Sequence, residues 1–236
     1  MRAVHPIESR SLEILRSRVD LGPMPPLWRA VTERVIHASA DLEYAVDLIS
    51  DEAHLEQGLG ALRDGAPVVT DVAMVAAGIT KRETVCSIAD PAAADMAQAT
   101  GITRSAAAIR LSYAKAGHGA IWVVGCAPTA LEEIIALDVR PALVIGLPVG
   151  FVGAAESKAA LRDSGLPAVS NVSEKGGSAV AAAALNALLY YQGERPSERS
   201  GRPNAGSWRA SGATPVVRGV SEKASPTVGH ENEGDG

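Results

Sequence analysis

His37 stands in the segment Arg34-Val-Ile-His-Ala-Ser-Ala-Asp-Leu-Glu-Tyr44. At ~100° per residue of helix it points away from the apolar stripe, with Glu33 and Asp41 one turn to either side. Carboxylates so placed favour the imidazolium over its ordinary pKa of ~6.5, as suits a general acid near neutral pH. An isolated helical histidine also suits a surface or capping role. The second chemical feature is Gly150 with Gly153, in the run Pro141-Ala-Leu-Val-Ile-Gly-Leu-Pro-Val-Gly-Phe-Val-Gly-Ala-Ala-Glu-Ser-Lys158. This run passes from a strand-like stretch through a glycine turn into a helix start, whose open amides favour carboxylates and phosphates. The same turn is equally consistent with glycines that serve packing alone.

Three further segments bring polar groups to strand ends or helix starts: Asp71 to Arg82, Gly101 to Ser105, and Gly125 to Leu131. Arg104 falls near a helix N-terminus, where the dipole disfavours a cation, so either a bound anion or an exposed salt bridge accounts for it. Thr129, after Pro128, has a first-turn position and a hydroxyl that a ligand could use. Gly176-Gly177-Ser178 is a second anion cradle at the start of the last helix. The run lacks G-x-x-x-x-G-K-[ST], and the chain has neither H-E-x-x-H nor G-x-S-x-G, which argues against P-loop, zinc-enzyme and hydrolase chemistry. No His/Cys cluster has metal-ligand spacing.

The elements that must position these groups follow from periodicity. Helical spacing covers Ser9 to Asp20 and Pro26 to about Ile49, the latter opening on tandem prolines. From Pro67 apolar strands near 68–70, 84–88, 120–124, 142–147 and 168–170 alternate with alanine-rich helical stretches. Repeated βαβ units predict a three-layer α/β/α fold with a mainly parallel sheet of about five strands, N-terminal helices, and ligands beyond the carboxyl ends of the strands. The expected organisation is one α/β domain over residues 1–192, followed by a solvated, disordered tail over 193–236. Within that tail Val216-Val217 is the alternative, a docking segment.

The chain has 236 residues, 47% hydrophobic and 21% charged, with a formal charge of -5 and two cysteines. These values predict a globular cytoplasmic protein with no general attraction to nucleic acid or anionic lipid. No apolar run reaches the ~18 residues of a membrane span.

Taken in order, these segments resemble the precorrin-8X methylmutase family of cobalamin biosynthesis across residues 5–191. The glycine-rich run from Pro141 to Lys158 and the Thr103-Arg104-Ser105-Ala106-Ala107-Ala108 motif carry most of the likeness. The resemblance implies a flavodoxin-like layout, a homodimer with its site near the subunit interface, and no cofactor or metal. It also implies an isomerase that moves a methyl group from C-11 to C-12 of precorrin-8X to give hydrogenobyrinate. The family's acid histidine falls on His37, its serine on Ser11 beside Arg10, and its substrate-contacting arginine on Arg104. Asp71, Met74, Thr80, Lys81 and Arg82 match one pocket wall, and Pro128 and Thr129 another. Gly150, Gly153, Lys175, Gly176 and Gly177 match the glycine turns. Ala73 departs from a common glutamate, and Ser173-Glu174 from a common Gly-Arg.

A macrocycle rimmed by carboxylates needs amide-rich turns and a few arginines around a wide cleft, and this chain supplies both. A sigmatropic shift asks the protein only to bind the ring and to protonate or hydrogen-bond a ring nitrogen. Two alternatives stand beside this reading. One is a cobalt-precorrin-8 methylmutase giving cobyrinate; the other is a non-catalytic corrinoid carrier that hands its cargo to the next enzyme.

Overall fold

The structure is a computed structural model that describes residues 6–193 and 216–217. Five strands run parallel: β3 (Val68–Thr70), β4 (Thr84–Val85), β5 (Ile121–Val124), β6 (Leu143–Gly146) and β7 (Ala168–Asn171). A sixth, β2 (Leu48–Ser50), joins β7 antiparallel, and the spatial order is β2-β7-β6-β5-β3-β4. Among the parallel strands the chain first steps outward from β3 to β4, then returns past β3 to β5. The layout is therefore flavodoxin-like, and its topological switch lies between β3 and β5.

Both faces of the sheet are covered because strand residues alternate. Ile121, Val123, Leu143 and Ile145 face α4 (Glu52–Arg63) and α10 (Ser178–Leu189), on which α2 (Pro26–Ser39) packs. Trp122, Val124 and Val144 face the opposite layer, formed by α7 (Arg104–Ala116), α8 (Pro128–Ala136) and α9 (Ala154–Asp163). Buried Ala181, Ala182, Ala184 and Ala187 line α10, and such small side chains let α2 lie close against it. The remaining helices are α1 (Pro6–Arg18), α3 (Tyr44–Asp47), α5 (Ala73–Gly78) and α6 (Pro91–Thr100).

Three expectations change. The helix predicted from Pro26 to Ile49 ends at Ser39, where Ala40 takes a left-handed φ of 56° and its amide closes on Ile36. The Ser39 hydroxyl bonds back to Val35 and accepts from the Asp41 amide, while Asp41 accepts from the Glu43 amide. Local hydrogen bonds thus outcompete helix continuation and free Leu48–Ser50 to form the sixth strand. The first helix stops at Arg18, and Val19–Asp20 forms the short strand β1. Finally, Val216–Val217 forms strand β8, paired antiparallel with β1 in the register Val19 with Val217 and Asp20 with Val216. The segment read as a solvated tail thus contains the docking strand that was its alternative; the rest of that reading, residues 194–215 and 218–236, lies outside the described residues.

Candidate active site

At the switch point, Asp71 follows β3 and is 1% exposed. Its carboxylate accepts the amides of Gly125 (3.1 Å), Cys126 (2.8 Å) and Ala127 (3.0 Å) from the turn after β5. Burial raises its pKa, and the three amides oppose that rise. Asp71, matched by resemblance to a pocket wall, holds the turn that launches α8. Thr129, on the first turn of α8, shares a hydrogen bond of 2.7 Å with Thr103, the N-cap of α7, whose hydroxyl also accepts from the Ala106 amide. This pair places Arg104 beside the start of α8. Arg104 is exposed and forms no ion pair among the described residues, so the salt-bridge explanation for it finds no partner among them.

The turn after β6 reaches across to the turn after β7. Gly150 donates its amide to Glu174, and Gly177 donates to Leu147. At Gly176, φ is 156° and a Cβ would collide with the Leu147 and Pro148 carbonyl oxygens, so only glycine fits. Gly153, at φ 78°, is the left-handed N-cap of α9. Helices α8, α9 and α10 all begin at the carboxyl end of the sheet, and none has a side-chain cap. Their first-turn amides and dipoles point toward the same region. Beside them Met74 (73%), Phe151 (97%) and Val152 (88%) stand exposed. Amides for carboxylates and apolar side chains for a ring system thus occur together.

His37 lies in the last turn of α2, half buried, and its Nδ1 is 2.9 Å from the Ser11 hydroxyl on α1. The carboxylates expected to flank it are committed elsewhere. Glu33 takes a two-bond contact from Arg16 at 2.9 Å, and Asp41 binds Lys175 at 2.6 Å. Ser11 is therefore the side chain that orients the imidazole, leaving Nε2 as the nitrogen that can face a substrate. Arg10, expected beside it, is exposed and paired with Glu13 at 3.0 Å.

Lys175 also binds Glu43, and these two carboxylates raise its pKa. It is thus a bridge from the glycine turn to the segment just after α2, and it brings the His37 helix to the carboxyl end of the sheet. Asp47 supports the same turn, accepting from the Asn171 side chain (2.8 Å) and from the amides of Val172 (3.0 Å) and Ser173 (2.8 Å). Burial alone would raise the Asp47 pKa, but these hydrogen bonds outweigh it and hold the pKa below the ordinary value.

Thr80, Lys81 and Arg82 do not share a wall with Asp71 and Met74. They immediately precede β4, whose Thr84 pairs with Val68 at the start of β3, so they lie at the amino end of the sheet. There Thr80 bonds the Tyr190 hydroxyl at 2.8 Å, the Lys81 ammonium sits 3.7 Å from the Tyr190 ring centroid, and Arg82 donates to the Leu62 carbonyl. Helix α5 separates the two groups. The Arg34 guanidinium, 5.6 Å from the same ring, links that cluster to α2.

Among the described residues no group of three His, Cys, Asp or Glu side chains gathers as metal ligands do. No helix among them is long and apolar enough to cross a membrane.

The family model described as precorrin-8X methylmutase matches residues 6–191. The chain belongs to the precorrin-8X methylmutase family. It is 43% identical over 197 residues to a cobalt-precorrin-8 methylmutase of Salmonella typhimurium, covering 78% of this chain and 94% of the relative. It is 38% identical over 194 residues to a precorrin-8X methylmutase of Pseudomonas aeruginosa, covering 77% of this chain and 93% of the relative. The crystal structure of a Thermus thermophilus precorrin-8X methylmutase superposes with a TM-score of 0.72 at 36% identity, covering 78% of this chain and 93% of that one. Like these relatives, the chain is a methylmutase, an isomerase. Asp47 escapes a reading of motifs, and Thr103 and Lys158, although inside the quoted motifs, receive no role from it. Lys158 carries one signal, since helical spacing sets it on the same face as buried Ala154 and Leu161.

Proposed function

We propose that this family member moves the C-11 methyl group of precorrin-8X to C-12, with His37 as the acid and the carboxyl end of the sheet as the binding surface. The observation that carries the site is the conjunction there of three uncapped helix starts with exposed Met74, Phe151 and Val152. A tetrapyrrole whose rim bears carboxylates and whose face is apolar matches both kinds of group. Arg104 adds an exposed cation that forms no ion pair among the described residues.

The reaction is an isomerisation. The C-11 to methyl bond breaks as the C-12 to methyl bond forms, and the ring double bonds shift to compensate, so nothing is oxidised or reduced. A proton given or a hydrogen bond made by His37 Nε2 to a ring nitrogen draws electron density away from the migrating centre. Ser11 keeps the imidazole in one orientation throughout. Asp71, Asp47 and Lys175 hold the surrounding turns, which keeps the reacting geometry preformed.

The cobalt-containing substrate is the second reading, favoured by the higher identity to the cobalt-precorrin-8 methylmutase of Salmonella typhimurium. Supplying purified precorrin-8X and cobalt-precorrin-8 in parallel, and following the spectrum of each, separates the two. Faster conversion of one identifies the substrate, and conversion of neither defeats the proposal. We further propose a cytoplasmic homodimer that passes product to the next corrinoid enzyme; exposed Phe151 and Val152 support the dimer, since such side chains favour a covering partner. A monomer in sedimentation at micromolar concentration would contradict the dimer.

A further inference from the structure

Lys158 ends the glycine-rich run yet is fully buried, a rare setting for a lysine. From α9 its ammonium donates to the Asn171 side-chain oxygen at 2.9 Å, to the Ser173 carbonyl at 2.5 Å and to the Lys175 carbonyl at 2.7 Å. Three donors meet three acceptors, so the ammonium is saturated and unavailable to a substrate. All three oxygens belong to the end of β7 and the turn after it. The same Asn171 side chain donates to Asp47 and to the Lys175 carbonyl, which locks the turn from its other side.

We infer that Lys158 is a positioning residue: its buried ammonium acts as a built-in cation around which the 171–177 turn folds, setting the α10 amides and the Lys175 bridge to the His37 helix. Without it, the inward-turned Ser173 and Lys175 carbonyls would keep only the Asn171 side-chain amide between them, and the Gly176-Gly177 pair would lose its fixed entry into α10. The neighbouring charged groups are Asp47 on α3, Arg162 on α9 and Glu174 in the turn itself. Burial pushes the Lys158 ammonium down to about 8, with Asp47 and Glu174 opposing the fall and Arg162 adding to it.

Between about 8 and the ordinary value of 10.5 the unfolded chain holds more protons than the fold, so this group makes global stability rise with pH. An opening of the turn that hydrates Lys158 takes up a proton in the same way, so the donors themselves are what a test must remove.

The test is hydrogen exchange on the free protein, comparing wild type with Lys158→Met, which keeps the volume and removes every donor. Protection of the amides of residues 172–178 should fall by about tenfold or more, while amides 106–112 of α7 stay as in wild type. Unchanged protection in the folded variant overturns the inference. Should Lys158→Met not fold, Lys158→Gln, a neutral side chain with two N–H donors, takes its place. A selective fall at 172–178 supports the role, and a turn that tracks α7 throughout overturns it. In turnover the variant should raise KM more than it lowers kcat, whichever corrinoid is the substrate. Because exchange needs no ligand, failure of both corrinoids to react would count against the proposed reaction and leave the positioning role of Lys158 standing.

Discussion

The two ends of the sheet solve the same problem in opposite ways. At the amino end the chain satisfies itself: Asp51 caps α4, His54 accepts the Ala168 amide, Ser50 donates to the Ala168 carbonyl, and Arg82 covers the Leu62 carbonyl. At the carboxyl end α8, α9 and α10 begin with no side-chain cap, next to exposed apolar side chains. One fold thus has a closed end and an end whose polar groups await a partner. The carboxylates there, Asp71 and Asp47, are committed to backbone amides of the turns and not to helix starts. A buried carboxylate, Asp71, and a half-buried one, Asp47, build the open end.

The comparison breaks most sharply at His37. His37→Ala should lower kcat by about a hundredfold or more, within the usual range for a general acid, while binding of the corrinoid product stays close to wild type. Single-turnover spectra beside a product titration check both halves. Near-normal turnover would move the acid role to another group. Ser11→Ala should fall between the two proteins, since the ring would keep its proton and lose its orientation.

Asp71→Ala asks whether the open end depends on its buried carboxylate. Three amides would lose their acceptor inside the fold, at a cost of about 2–3 kcal/mol in unfolding free energy. Denaturant titration reads this directly. A loss below about 0.5 kcal/mol, the scatter of ordinary surface substitutions, would mean that water replaces the carboxylate with ease.

Arg104→Ala sharpens the contrast from the ligand's side. With no carboxylate of its own in the described fold, Arg104 should contribute about 1.5–3 kcal/mol to substrate binding through a charge-assisted contact. The effect should appear in KM with kcat little changed. An unchanged KM would return Arg104 to the solvated surface.

How much of this was legible in the sequence depended on the range of the interaction. Strands β3 to β7 were legible because apolar runs bounded by turns specify them locally, whereas the family likeness singled out His37 and Ser11 separately and did not pair them across the 26 positions between them. The edge strand β2 was not, because Leu48–Ser50 continues the helical spacing of α2 and only the local bonds at Ser39 to Glu43 break it. The pairing of Asp41 with Lys175 spans 134 positions, so periodicity gave no reason to withdraw that carboxylate from His37. The same holds for Glu52, which accepts the Leu27 and Trp28 amides and closes the start of α2. Lysine composition likewise cannot tell a solvated ammonium from the buried one of Lys158.

The smallest expected effect concerns β8. Val216–Val217 lies outside the span that matches the family, and its pairing with Val19–Asp20 joins the chain immediately after α1, the helix that carries Ser11. As a solvated tail, residues 193–236 would be removable without consequence. With the pairing in place, a protein ending at Gly193 should lose up to about 1 kcal/mol of stability, because a two-residue ladder offers few hydrogen bonds and must offset the closure of a long connection. For a chain of this size that is roughly 2–4 °C in Tm. The deciding control is a protein ending at Val217, which keeps the strand and discards the remainder. It should melt with the full chain, and exchange at the Val19 and Asp20 amides should quicken only in the shorter form. Equal melting and equal exchange in both truncations would show that the ladder holds nothing in place, and that α1 is fixed by its packing on α2 alone.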